Sequence, residues 1–186
     1  MQTGTAATTG GRRGGDEGWS DFSSYVAARW TSLVRTAYLL TGDFHEAEDV
    51  VQSTLAKVYP HWARIQPDTV DAYVRRALVN NNRSRFRRRR VAQLLMPFVP
   101  DRPAAESERG DLAERDLLVS LLARLPQRQR AVVVLRYWED LPAEEVAELL
   151  SCSVGTVKSQ ASRALAKLRE HPELEPFALT GLGADS

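Results

Sequence analysis

From Phe22 onward, apolar residues recur at three- and four-residue steps: Phe22, Tyr25, Val26, Trp30, Leu33, Val34, Ala37, Tyr38 and Leu40. Steps of that size keep one side of a helix apolar, so the pattern predicts an amphipathic helix from about Ser20. Gly42 stops it, and Asp43 is placed to cap the next helix, whose stripe is Ala47, Val50, Val51, Leu55, Val58 and Trp62. Pro67 breaks the chain. A third helix, capped by Asp68 or Thr69, carries Val70, Tyr73, Val74, Ala77, Leu78 and Phe86, and four arginines from Arg87 to Arg90 end the unit.

Between Met96 and Gly110 the periodicity fades into Pro97, Pro100, Pro103 and scattered acids, the signature of a linker. Beyond it, Asp111 can cap a helix through Leu112, Leu117, Leu118, Leu121 and Leu122, and Pro126 opens another with Val132, Val133, Leu135, Tyr137 and Trp138. Pro142 precedes a short helix, Ala143 to Leu150, and a last one runs from about Val154 to Arg169. No convincing segment has strand periodicity. The expected fold is all-α: two small helical domains joined by a flexible linker, the second containing a helix-turn-helix. Its divisions would be a disordered tail over 1–19, a first domain over 20–92, the linker over 93–111, a second domain over 112–171 and a short tail over 172–186.

The chain has 186 residues, 43% hydrophobic and 26% charged, enough for one mid-sized core or two small ones. Its net charge of +1 argues for no partner by itself, so the placement of charge has to be read instead. A single cysteine, Cys152, precludes an internal disulfide and suits a reducing cytoplasm. His45, His61 and His171 are too scattered for a metal cluster, and no Gly-rich phosphate loop or nucleophile–base pair is visible, so no metal, no cofactor, no small-molecule substrate and no enzyme activity are expected. Nothing resembles a secretory signal or a membrane span, and a cytoplasmic protein is expected.

Three features carry candidate chemistry. In Leu141 to Leu168 a short helix, a three-residue turn and a second helix have helix-turn-helix spacing. Val146, Ala147 and Leu150, then Val154, Val157, Ala161, Leu165 and Leu168, would face inward. Ser153 would cap the second helix, leaving Thr156, Lys158, Ser159, Gln160, Ser162, Arg163 and Lys167 free for phosphates and base edges. A helical hairpin with a basic solvated face would read the same way.

The second feature is a stretch from Ala72 to Pro100 without one acid, containing Arg75, Arg76, Arg83, Arg85 and Arg87 to Arg90. It suits a phosphate backbone, and Asn80, Asn81 and Asn82 within it supply amides that an exposed base could use. RNA, or a merely solvated helix end, would fit the same charges. A lipid surface would not, since the arginine run leaves no apolar face. Third, Glu46, Glu48, Asp49 and Gln52 could form an acidic contact face or simply complement a helix dipole.

Three blocks then stand in a telling order: AEDVVQSTLAKVY, AYVRRALVNNNRSRFRRRR and LPQRQRAVVVLRYWEDLPAEEVAELLSCSVGTVKSQASRALAKLR. Together they resemble the extracytoplasmic-function sigma factors, the compact two-domain group of the sigma-70 family. The stretch YVAARWTSLVRTAYLLTGD looks most like an actinobacterial, SigE-like subgroup. The similarity runs from about Phe22 to Arg169, apart from the linker.

The resemblance implies that the first domain binds the β′ clamp helices of core RNA polymerase and the promoter's minus-ten element. The second would meet the β flap and read the minus-thirty-five element. Residue by residue, it puts Glu48, Asp49 and Gln52 on polymerase. Arg64, Asp68, Arg76, Asn80, Arg83, Arg87 and Arg88 fall at the minus-ten DNA, with Arg64 to Thr69 as the loop taking up a flipped base and Asn80 beside it. Thr156, Lys158, Ser159, Gln160, Ser162, Arg163 and Lys167 fall at the minus-thirty-five DNA. An anti-sigma protein is a candidate partner; a membrane is not. Ser162 and the amide-rich Asn80 to Asn82 depart from relatives, so no relative's promoter sequence carries over. The competing expectation is a stand-alone helix-turn-helix regulator, which would leave the first domain without a role.

Overall fold

A computed structural model describes residues 13–95 and 113–171 of the protein. The expected tails at 1–12 and 172–186, and the linker residues 96–112, lie outside the described residues. Those described form seven α-helices: α1 (Arg13–Thr41), α2 (Phe44–Val58), α3 (Val70–Leu95), α4 (Ala113–Ala123), α5 (Gln127–Val133), α6 (Ala143–Leu150) and α7 (Val154–Arg169). A 3-10 turn, Tyr59–Arg64, follows α2, and a π-helical segment, Val134–Trp138, follows α5.

The apolar stripes do what their spacing demands. Phe22, Val34 and Ala37 of α1 bury against Ala47, Val50, Val51, Leu55 and Val58 of α2 and Val74 and Leu78 of α3. Gly42 takes φ +81°, a left-handed conformation in which a side chain would be strained. Asp43 then caps α2, accepting from the Glu46 N–H at 2.7 Å. Two boundaries differ from expectation. Helix α1 begins at Arg13 rather than near Ser20, and Trp19 meets Tyr59 edge-on at 5.2 Å between ring centres, a contact no local spacing announces. Helix α3 continues to Leu95, through the arginine run, because Arg85 and Arg89 find acids on α2 and the run contains no breaker.

The two helical units are not separate bodies. Leu39 and Leu40, at the end of α1, share a core with Val119, Leu121, Leu122 and Leu125 of the α4 region, with Val133, Val134, and with Ala164 and Leu168 of α7. Val79 of α3 likewise sits in the core of the α6–α7 pair. Polar closures line the same seam. Arg130 donates from Nη1 to the carbonyls of Leu40 and Thr41 at 3.2 and 3.1 Å, satisfying the exposed end of α1, and from Nη2 to Ala123 at 2.7 Å. Burial lowers the pKa of its guanidinium, partly offset by Glu46. Arg75 pairs with Glu139 at 3.0 Å and Glu145 at 3.6 Å, and Glu139 also accepts from Thr36.

Asn81 and Asn82 are buried, contrary to the reading that all three amides reach for a base. Asn81 Nδ2 donates to the Val50 carbonyl at 3.2 Å, to Ser53 Oγ at 2.7 Å and to Thr54 Oγ1 at 3.0 Å, while its Oδ1 accepts from Lys57 Nζ. It is a fastener between α3 and α2. Asn81→Ala strands those partners and is expected to cost about 2 kcal/mol of stability. Urea denaturation measures it, and an unchanged midpoint would contradict the structural role.

Candidate nucleic-acid interface

Four residues of α3, Arg76, Asn80, Arg83 and Arg87, follow one another at steps of four, three and four, so they share one helix face. All four are exposed. Arg88 is exposed as well, but consecutive residues point about 100° apart in an α-helix, so it leaves that row. Arg85 and Arg89 take a further face and pair with Asp49, at 3.4 Å, and with Glu46. The arginine stretch is therefore divided: one row toward α2, another toward the second unit and solvent.

The loop Arg64 to Thr69 is held from beneath by aromatic packing. Trp62 lies edge-on to Phe22 at 5.0 Å, and Tyr25 donates to Asp71 at 3.0 Å while Arg29 pairs with the same carboxylate. Burial, with the Asp71 bond, raises the Tyr25 phenol above its ordinary pKa, so it stays a donor. A concavity of about 360 Å³ opens here, lined by His61, Arg64, Gln66, Thr69 and Tyr73 among others. Asp68 is exposed beside it. Asn80, contrary to expectation, is not beside it: it stands ten residues along α3 from Val70, about 15 Å at ~1.5 Å per residue, and lines a different cavity.

On α2 the polar residues expected to form a contact face are Asp49 and Gln52, both exposed, and Glu48, half-buried. Asp49 keeps 65% of its side chain in solvent despite Arg85.

The helix-turn-helix is formed by α6 and α7. Ser151 ends α6 in the left-handed conformation, φ +53°, and Ser153 caps α7 by accepting from the Thr156 N–H at 3.2 Å. Val146, Ala147, Val157, Ala161, Leu165 and Leu168 are buried as spacing requires. Leu149, not Leu150, completes the α6 face, because α6 packs against α3 as well as α7, and Leu150 and Val154 are half-buried. Ala164 adds a fully buried position. Lys158, Ser159, Ser162, Arg163 and Lys167 project outward; Thr156 and Gln160 sit half-buried on the edge toward α3.

Between that edge and the Asn80–Arg83–Arg87 row lies a cavity of about 670 Å³. Arg83 crosses it to donate to the Leu150 carbonyl at 3.1 Å. Gln127 and Arg128 of α5, which the sequence reading did not select, form another wall. No group of three or more metal-ligating side chains exists among the described residues, and none of their helices is long and apolar enough to cross a membrane.

Comparison with known proteins places these elements. Residues 28–91 match the family model for Sigma-70 region 2, and residues 115–168 the model for Sigma-70, region 4. The chain is 39% identical over 151 residues to the RNA polymerase sigma-E factor of Streptomyces coelicolor, covering 81% of this chain and 85% of that protein. Among solved structures it is similar to the sigma factor RpoE in complex with the anti-sigma factor NepR from Bartonella quintana (TM-score 0.67, 26% identity, 81% of this chain and 95% of that one). It is also similar to CnrH in complex with the cytosolic domain of CnrY (TM-score 0.55, 26% identity, 89% of each chain).

Proposed function

Because the chain belongs to the extracytoplasmic-function sigma factors of the sigma-70 family, and so is an RNA polymerase sigma factor, we propose how its residues divide that work. As an initiation factor rather than a classical enzyme, it performs no chemistry of its own. The exposed Asp49 and Gln52, with Glu48, dock the first unit on core polymerase in the cytoplasm. The loop Arg64 to Thr69 takes up an extruded minus-ten base. The row Arg76, Asn80, Arg83 and Arg87, with Arg88 behind it, holds the backbone of the minus-ten strand as it runs on from that base. Extrusion costs a few kcal/mol, which the pocket and the phosphate contacts offset. Helix α7 enters the major groove at the minus-thirty-five element, offering Lys158, Ser159, Ser162 and Arg163 to base edges and phosphates, with Thr156, Gln160 and Lys167 at its flanks. The two working units are taken as 20–92 and 112–171, the first lengthened to Arg13 and Leu95 by the observed ends of α1 and α3.

One observation carries this reading: an acid-free row of guanidinium and amide groups on α3, and a capped recognition helix with an outward polar face, belong to one chain whose α2 exposes Asp49 and Gln52. Elements at minus ten and minus thirty-five stand about 25 base pairs apart, or roughly 85 Å at ~3.4 Å per pair. Yet Asn80 and Gln160 line one cavity. The closed chain therefore opens along its seam to engage both elements, and polymerase is the body that holds the units apart. RpoE was captured with the anti-sigma factor NepR, and CnrH with the cytosolic domain of CnrY; an anti-sigma partner is proposed here too.

Run-off transcription with core polymerase on a genomic library tests the reading. Discrete, factor-dependent start sites are expected. Tight duplex binding by the pure protein, with no effect on polymerase, would favour a stand-alone regulator instead.

A further inference from the structure

The cations of α3 and α5 fall into two sets. Arg75 has Glu139 and Glu145, Arg85 has Asp49, Arg89 has Glu46, and Arg130 spends both its Nη groups on backbone carbonyls, while its buried Nε finds no hydrogen bond among the described residues. Among the described residues, the cations that line the 670 Å³ cavity have no such partner. Arg83 reaches only the Leu150 carbonyl, and neither Arg87 nor Arg128 has an ion pair among the described residues. No Asp or Glu is found among the described lining residues. Closure thus gathers two guanidinium groups of α3 and one of α5 around a single concavity, and like charges so gathered oppose closure.

We infer that this cavity binds a phosphate-bearing ligand of nucleotide size, bridging Arg83 and Arg87 on one unit and Arg128 on the other. The volume lies within the ~300–1,000 Å³ usual for small-ligand sites, and seams between folded units are a common place for them. The anion supplies the missing countercharge through charge-assisted hydrogen bonds, which planar guanidinium groups form well. Phe86, 44% exposed on the cavity wall, offers a ring for a base to stack on, and Asn80 and Gln160 offer amides to its edge. Such a ligand meets its full set of cations only in the closed chain, so it shifts the population toward closure. Since the proposed promoter engagement requires an open chain, and this consequence rests on that reading, the ligand would restrain initiation.

The test uses the full chain and two titrants at low salt, ADP and inorganic tripolyphosphate, followed by calorimetry, with an eight-residue oligothymidylate as a third. Both small anions are expected to bind at one site, ADP more tightly for its base. Arg128→Glu, an exposed change outside the proposed DNA contacts, should weaken both by at least about tenfold. Small-angle scattering should show the ADP-bound protein at its most compact. The inference is overturned if neither small anion binds at millimolar concentration, if Arg128→Glu binds both as well as the parent, or if only the oligonucleotide binds. Run-off transcription without added ligand separates the two ideas, because Arg128→Glu should initiate like the parent. Failure of the parent to initiate at all would sink the sigma-factor assignments while leaving the titration result standing.

Discussion

Reversing one charge, Asp49→Arg, is expected to abolish co-purification of the chain with core RNA polymerase while leaving its fold intact. The side chain is 65% exposed and its single ion pair, to Arg85, spans 3.4 Å. A pair so exposed contributes about 0–1 kcal/mol, and the repulsion that the new guanidinium meets from Arg85 can relax into solvent. Against a partner surface chosen for an acid, by contrast, a reversed charge meets like charge at a desolvated contact and costs several kcal/mol. A penalty of about 4 kcal/mol is already roughly a thousandfold in affinity. Circular dichroism and thermal unfolding check the fold, and retention on immobilised core enzyme checks docking. Normal retention would sink the assignment of α2 as the polymerase face.

Helix existence was legible wherever the signal is local. The stripe of α2, the Asp43 cap, the Gly42 stop and the Ser153 cap each depend on residues within four positions of one another, and each is found in the structure. The seam was not legible, since Arg130 meets Leu40 and Arg75 meets Glu139 across gaps of 90 and 64 residues. Nothing in either neighbourhood marks those side chains as partners. In a sequence an arginine that clamps its own fold looks like one awaiting DNA. The amide run shows the same ambiguity inside one tripeptide: Asn80 is exposed, whereas Asn81 and Asn82 turn inward, because three successive helical residues cannot share a face. Positions at steps of three and four would have separated Arg76, Asn80, Arg83 and Arg87 from Arg88 without coordinates. The charge density of the run hid that order.

The same distinction between clamping and reading side chains bears on α7. Lys158 and Arg163 are exposed, flank Ser159 and Ser162, and take part in none of the ion pairs among the described residues. Replacing both by Ala therefore removes charge without unpairing anything inside. Helix propensity barely changes, since Ala is the strongest helix former. The double variant is expected to keep its stability and its grip on polymerase, yet lose promoter recognition on the order of a hundredfold. Each side chain that meets a base edge well contributes about 1–3 kcal/mol of discrimination, and a phosphate contact contributes salt-dependent affinity. The two modes can be told apart. If both residues serve phosphates, the loss will be uniform across promoter sequences and the dependence of binding on salt will fall by about two charges. A base-reading residue instead leaves a relaxed preference at one position of the minus-thirty-five element. Mapping start sites for parent and variant holoenzymes at two salt concentrations separates these outcomes, and an unchanged start pattern would remove α7 from the promoter interface.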